Sequence, residues 1–266
     1  MATSLLVAGL ECPRHPAVPM PARVLRWPED APAVVERQWP ALRPVLAAIT
    51  TATGVGRVSI DEAGALPQAR VAALILELAA VTPPHPVAVI AEPGVLTDLV
   101  VQAASLGYAE DRLAGFPIDV LTRLHPGLRG LPAAVEVGAV LAAARAWSSA
   151  LRNPDRWSAV TEPGRAGERA ARVLSLAGVR IAGAEPPEGA VRPTDGGFEL
   201  RIFVRGIVKE GLRLSRADDR LLVGIDGVSL PIELPAVLRR CQIVRATTEP
   251  DALVVTFVPD ERRWPR

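Results

Sequence analysis

The chain has 266 residues, 49% of them hydrophobic, and thirty basic residues against twenty-nine acidic ones leave a net charge of +1. That length accommodates one sizeable domain plus a small one, and the hydrophobic share excludes disorder over most of it. Arginines are spread among Asp and Glu without a basic stripe, so nucleic acid is not an expected partner.

The short apolar run Thr3–Ala8 predicts a buried parallel strand. A proline-rich loop over Cys12–Pro21 follows, then a brief extended piece, Arg23–Trp27. From Ala31 to Thr53 the pattern is helical, with Val35, Trp39, Leu42, Leu46 and Ile49 at alternating steps of four and three. Pro40 and Pro44 are expected to kink or split this helix, with Pro40 opening a second segment.

Ser59-Ile60-Asp61-Glu62 matches a capping box, opening a helix that runs to about Ala80 with a break near Pro67. Pro86–Ala91 reads as a second apolar strand and Gly94–Ser105 as the helix returning from it. After a loop-rich stretch containing Gly115, Pro117 and Pro126 comes the most apolar helix, about Leu131–Leu151. Glu136 and Arg145 interrupt it, which predicts a core helix and not a membrane span. A strand at Trp157–Thr161, a helix at Gly164–Ala177 and a strand at Val179–Ala184 complete the pattern. Alternating strands and helices predict an α/β fold, a mostly parallel sheet covered by helices on both faces, over residues 1–184.

Residues 185–197 (EPPEGAVRPTDGG) read as a Pro/Gly-rich linker. Beyond it the period changes to two, with Phe198, Leu200, Ile202 and Val204 alternating with polar residues. Asp226-Gly227, flanked by Leu221–Ile225 and Val228–Leu234, is a type I′ hairpin signal. Leu253, Val255 and Phe257 continue the alternation after a turn at Glu249–Asp251. Residues 198–259 are thus expected to form a small antiparallel β-sandwich, with a charged tail at 260–266.

Reactive side chains are few. Cys12 and Cys241 lie far apart without a CxxC, which argues against a disulfide framework or a structural zinc site. His15, His85 and His125 each adjoin a proline and read as turn residues, not metal ligands. Cys12 with His15 is the one Cys–His neighbourhood, read as incidental in its proline-rich loop, and no Gly-x-Ser-x-Gly occurs. No charged segment precedes the apolar stretch Leu5–Leu10, so no targeting signal is expected and the cytoplasm is the expected compartment.

Four stretches carry a family likeness. They are residues 23–49, with Glu36, Trp39, Leu42, Arg43 and Leu46; residues 62–77, with Glu62, Leu66, Pro67 and Leu74; residues 157–178, with Val160, Thr161, Pro163, Glu168, Arg172, Leu176 and Gly178; and residues 198–257, with Leu230–Pro235 and Leu253–Phe257. Together they resemble the ArsA-type anion-transport and guided-entry ATPases, of which one bacterial branch carries a C-terminal α-crystallin-like (small heat-shock) β-domain. The resemblance implies a P-loop NTPase-like fold for residues 1–184.

The family's chemistry is not there to be carried over. A P-loop needs a glycine-rich turn, a Lys on the β/γ-phosphates and a Ser/Thr on Mg²⁺. Lys209, in the β-domain, is the only lysine in the chain, and the forked guanidinium of Arg is a poor substitute. Gly54-Val55-Gly56-Arg57 echoes part of such a loop but falls between two helices, where a helix cap and turn explain it. Ala91 stands where the resemblance expects a Mg²⁺-linked Asp, with Glu92 displaced by one residue; Thr97 and Asp98 read as a helix first turn. The switch phrase has only a faint echo in Glu11–His15, and no Asn-Arg follows Val179–Ala184 for an adenine.

These absences lead to the expectation of a non-enzyme without cofactor, metal or catalytic residues: a pseudo-ATPase acting as a binding or regulatory subunit. Its expected partner is an ATP-competent ArsA-like relative or a second copy, with the helices at 66–80 and 131–151 either core or an apolar surface for a hydrophobic client segment. Two alternatives stand beside it: a chaperone-like interaction module working through the β-domain, and an enzyme with an unrecognised ligand site.

Overall fold

The computed structural model describes residues 4–9, 23–53, 62, 65–81, 87–113, 133–153, 155–184 and 191–261. Its first strand, β1 (Ser4–Ala8), is buried at every residue, as a continuous apolar run in the middle of a parallel sheet should be. β1 pairs in parallel with β3 (Val87–Ala91) on one side and β4 (Trp157–Thr161) on the other. β2 (Arg23–Arg26) lies beyond β3, and the two-residue β5 (Arg180–Ile181) lies beyond β4, giving the order β2-β3-β1-β4-β5. The strand expected over Val179–Ala184 is thus much shorter.

The steps from β2 to β3, β3 to β4 and β4 to β5 all move the same way across the sheet. Right-handed crossovers must then place their helices on one face. These are α1 (Ala31–Thr53) and α2 (Pro67–Ala79), then α3 (Pro93–Leu113) and α4 (Ala133–Leu151), then α5 (Arg165–Leu176). All five share one apolar core with Leu6, Ala8, Val87, Val89, Ala91 and Ala159 of the sheet. The opposite face carries the buried set Leu5, Val7, Ala88 and Ile90, packed with Val160, to which no described helix contributes. The sheet is flanked by helices as expected, but the described ones occupy a single face.

Several local expectations change. α1 is one helix, with Pro40 and Pro44 inside it. The prolines sit four residues apart on the side away from buried Ala31, Val34 and Leu42, so core packing holds the helix together across the missing donors. Pro67 starts α2 at its first turn, with Leu66 extended before it, instead of breaking a longer helix. The capping box loses Ser59–Asp61 to the undescribed residues. α3 runs eight residues beyond the expected end at Ser105. In α2 and α4, Leu74, Ile75, Leu78, Trp147 and Leu151 are almost wholly buried, so these residues pack in the core.

One buried charge fastens this region. Glu77 on α2 accepts hydrogen bonds from Arg23 on β2 (2.6 Å) and from Arg37 (3.1 Å) and Gln38 (2.8 Å) on α1. Burial pushes its carboxyl pKa up, but the three donors and the Arg37 charge outweigh that and hold it below the ordinary value.

The C-terminal region consists of two antiparallel sheets. β6 (Val191–Thr194), β7 (Gly197–Phe203), β11 (Cys241–Glu249) and β12 (Ala252–Pro259) form one, ordered β11-β12-β7-β6. β8 (Arg213–Ala217), β9 (Arg220–Ile225) and β10 (Val228–Glu233) form the other as a meander. β6 lies inside the stretch read as linker: Asp195-Gly196 turns it into β7, with Thr194 opposite Gly197. At the tip of β9–β10, Asp226 (φ 51°) and Gly227 (φ 81°) both adopt the left-handed conformation a type I′ turn requires. The inner faces of the two sheets share a core of Leu200, Leu221, Val223, Leu253, Val255 and Phe257, the sandwich the alternation predicts.

Candidate functional site

In an open parallel sheet, ligands bind outside the carboxyl ends of the strands, where the connections reverse direction. Here that point is the end of β1, because the chain leaves β1 toward β2 but leaves β3 toward β4. The edge is tightly closed: Gly9 donates its N–H to the Ala91 carbonyl (3.0 Å), and Glu162 donates its own to the Ala8 carbonyl (3.0 Å). A Cβ on Gly9 would overlap the Glu162 carboxylate, and one on Gly167 would overlap the Glu162 carbonyl. At Gly167 the obstacle is backbone, so glycine is needed there; at Gly9 it is the flexible Glu162 side chain.

The described side chains at this edge are few. Ala91 is buried among the helix-side core residues, and exposed Glu92 follows the strand end. Thr97 is buried, and its hydroxyl donates to the Pro93 carbonyl (2.9 Å), so it is satisfied within its own helix; Asp98 is exposed. Lys209 is exposed in the connection between β7 and β8. Among the described residues no group of three or more His, Cys, Asp or Glu is placed to hold a metal. No described helix is long and apolar enough to cross a membrane. Gly54–Arg57, Glu11–His15, His85 and His125 lie outside the described residues. Cys241 is buried, its thiol donating to the Val237 carbonyl (3.4 Å); burial pushes its pKa up, partly opposed by the Arg216 charge, so it is no ready thiolate.

A second feature is the junction of the two regions. α5 is apolar over a wide arc: Leu174 packs with the parallel sheet, while Val173 and Leu176 belong to the core of the β-sandwich. Ala104 of α3 joins that same core. Polar contacts fix the hairpin tip on α5. Arg172 reaches both Asp226 carboxylate oxygens (2.7 and 3.4 Å), and Arg169 donates to the Asp226 carbonyl (2.8 Å). Ser175 donates to the Arg172 carbonyl and accepts the Arg205 N–H, each at 2.9 Å. On α3, the Tyr108 ring lies under the Arg220 guanidinium, 4.6 Å from ring centroid to carbon. Beside this pair a cavity of about 180 Å³ remains between α3, α4 and the β9–β10 hairpin.

Sequence reasoning missed the junction. It read Asp226 only as a turn residue and Arg145 only as an interruption of an apolar helix, although Arg145, Ser149 and Arg152 stand at i, i+4 and i+7.

Comparison with known proteins bears on the β-sandwich. Residues 195–257 match the family described as the HSP20-like domain found in ArsA. An uncharacterized protein of Streptomyces coelicolor is 33% identical over 98 residues, covering 34% of this chain and 25% of that protein. A protein of Mycobacterium tuberculosis is 35% identical over 68 residues, 26% of this chain and 16% of that protein. The aligned stretch therefore spans a quarter or less of each relative. The antiparallel sheets and the matched residues together identify the C-terminal domain as an HSP20-like domain of the kind found in ArsA.

Proposed function

We propose that this chain is a non-catalytic binding or regulatory protein, built on an ATPase-derived α/β scaffold that lacks a working phosphate loop and bears an HSP20-like domain docked on it. The observation that carries the reading is the edge at the end of β1. A phosphate loop would project from there, yet the described residues place carboxylates, Glu92 and Glu162, and a backbone closed around Gly9. Anionic phosphates favour backbone N–H groups and a lysine at such an edge. The sole lysine is Lys209, in the other domain. Ala91 supports the reading in the same way, since an alanine offers no oxygen toward Mg²⁺.

The partner that suits such a scaffold is an ATP-competent ArsA-like relative or a second copy of the chain. Isothermal titration with ATP and Mg²⁺ tests the non-catalytic half, and no saturable micromolar binding is expected. Binding in that range would overturn it. Co-purification from the native host tests the other half, with an ATP-competent relative as the expected companion. A chain that is recovered monomeric and alone would remove the subunit role.

A further inference from the structure

We propose that the edge strand β11 is the surface through which two copies of this chain associate, pairing antiparallel about a twofold axis at Thr247. The two antiparallel sheets end in four strand edges, and backbone donors and acceptors left unpaired at an edge invite another strand. Three of those edges are short or covered. β6 has four residues and carries Pro193, and β10 packs toward α3. β8 has five residues, and its Arg216 spans the gap to β11, donating to the carbonyls of Cys241 and Arg239. β11 is nine residues long, and among the described residues β12 is the strand it pairs with. Val244 on it is 54% exposed, and Arg245 and Ala246 are exposed beside it.

The start of β11 is closed to a regular ladder. Arg216 takes up carbonyls there, and the pairing with β12 slips between Ile243 and Arg245, a bulge that leaves Val244 without an opposite residue. Regular pairing is thereby confined to Arg245–Glu249. A strand that pairs with its own copy about a twofold axis places one residue opposite itself. Centring on Arg245 sets two guanidinium groups side by side and runs the bulge into the ladder. Centring on Ala246 leaves Glu249 opposite the partner's Ile243. Centring on Thr247 puts Arg245 opposite the partner's Glu249 twice over, with Ala246 opposite the partner's Thr248. Glu249 meets Arg201 within its own chain at 2.7 Å, and its 45% exposure leaves room for a second guanidinium. The same register brings exposed Val244 opposite the partner's Pro250.

The two sheets then continue as one across the axis, with main-chain hydrogen bonds holding the copies and the charged pair selecting the register. Five residues from each strand make a small interface, so a reversible dimer is expected. The inference rests on the second-copy form of the proposed subunit role and gives it a surface.

The test is sedimentation velocity of the full chain over a range of concentrations, in which the parent should pass reversibly from monomer to dimer. Arg245→Glu and Glu249→Arg each set like charges opposite one another at both contacts, so each should dimerise at least tenfold more weakly. Both side chains are exposed, so each variant should melt close to the parent. Mixed one to one, the two variants should recover the parent's affinity, because every contact again joins opposite charges. Structural damage from either substitution would not be repaired by mixing. A parent that stays monomeric throughout would overturn the proposal, and so would variants that dimerise as the parent does or a mixture that fails to recover. A monomeric parent that still co-purifies with an ATP-competent relative would remove this surface and leave the subunit role. Micromolar ATP binding would remove the non-catalytic reading and leave the dimer.

Discussion

Val87–Ala91 is buried along its whole length, whereas Arg220–Ile225 fully buries only Leu221, Val223 and Ile225. The first strand is interior to a parallel sheet with apolar sets on both faces. The second belongs to an antiparallel sheet with one face on a core. The two regions therefore specify their folds by different patterns, yet they are not separate bodies. α5 sends Leu174 into one core and Val173 and Leu176 into the other, so a single helix completes both. An HSP20-like domain docked in this way is part of the molecule's framework and not a tethered accessory. Its β10 edge packs toward α3, and Pro193 interrupts the donors of β6.

The largest test of this comparison is Phe257→Ala. Phe257 is fully buried in the sandwich core, and its truncation should cost about 3–5 kcal/mol. If α5 couples the regions, calorimetry will show one transition shifted downward. A new early transition, with the α/β region melting as before, would break the shared-core picture.

A middle-sized effect is expected at Glu77→Ala, about 2 kcal/mol, after discounting for the half-exposed partners Arg23 and Arg37. The Glu77 pKa is depressed on folding, so its contribution is present above the ordinary glutamate value near 4.5. It is lost as the pH falls through the lower folded value. The parent should therefore lose more stability than Glu77→Gln on acidification below that point, measured by denaturant midpoints. Parallel pH profiles would remove Glu77 as the cause.

The smallest effect concerns the junction directly. Asp226→Asn keeps a residue that tolerates the left-handed turn but removes the charge that Arg172 meets at 2.7 Å. The ion pair is mostly buried, with side-chain exposures of 16% and 21%, so a cost of about 1 kcal/mol is expected. In a double-mutant cycle with Arg172→Ala the coupling should account for most of it. Additive effects would mean that the Arg172–Asp226 pair adds nothing to the apolar contacts and the Arg169 bond that hold the hairpin.

Much of the fold is legible in local pattern. The runs that became β1, β3 and β4 needed only continuous apolar character, and Asp226-Gly227 identified its hairpin because few other pairs accept two positive φ angles. The parallel signal at Asp195-Gly196 was hidden by Pro193 and by the proline-rich residues before it, so β6 was read as linker. Pro40 and Pro44 misled for a related reason: propensity is local, and the packing that holds α1 together is not.

The position of the chain's single lysine, in the β-domain, was legible from composition. The closure of Gly9 against Glu162 was not, because it joins residues from two strands far apart in the chain. The same holds for Arg172 with Asp226 and for Arg220 with Tyr108. The sequence by itself determined most of the strands and helices and which period each region follows, because burial on one face or two sets the spacing of apolar residues. Only the tertiary structure decided which strand lies at the centre, which face the helices cover and which charges meet at the junction. Those depend on the handedness of crossovers and on contacts between distant segments, and no local pattern encodes them.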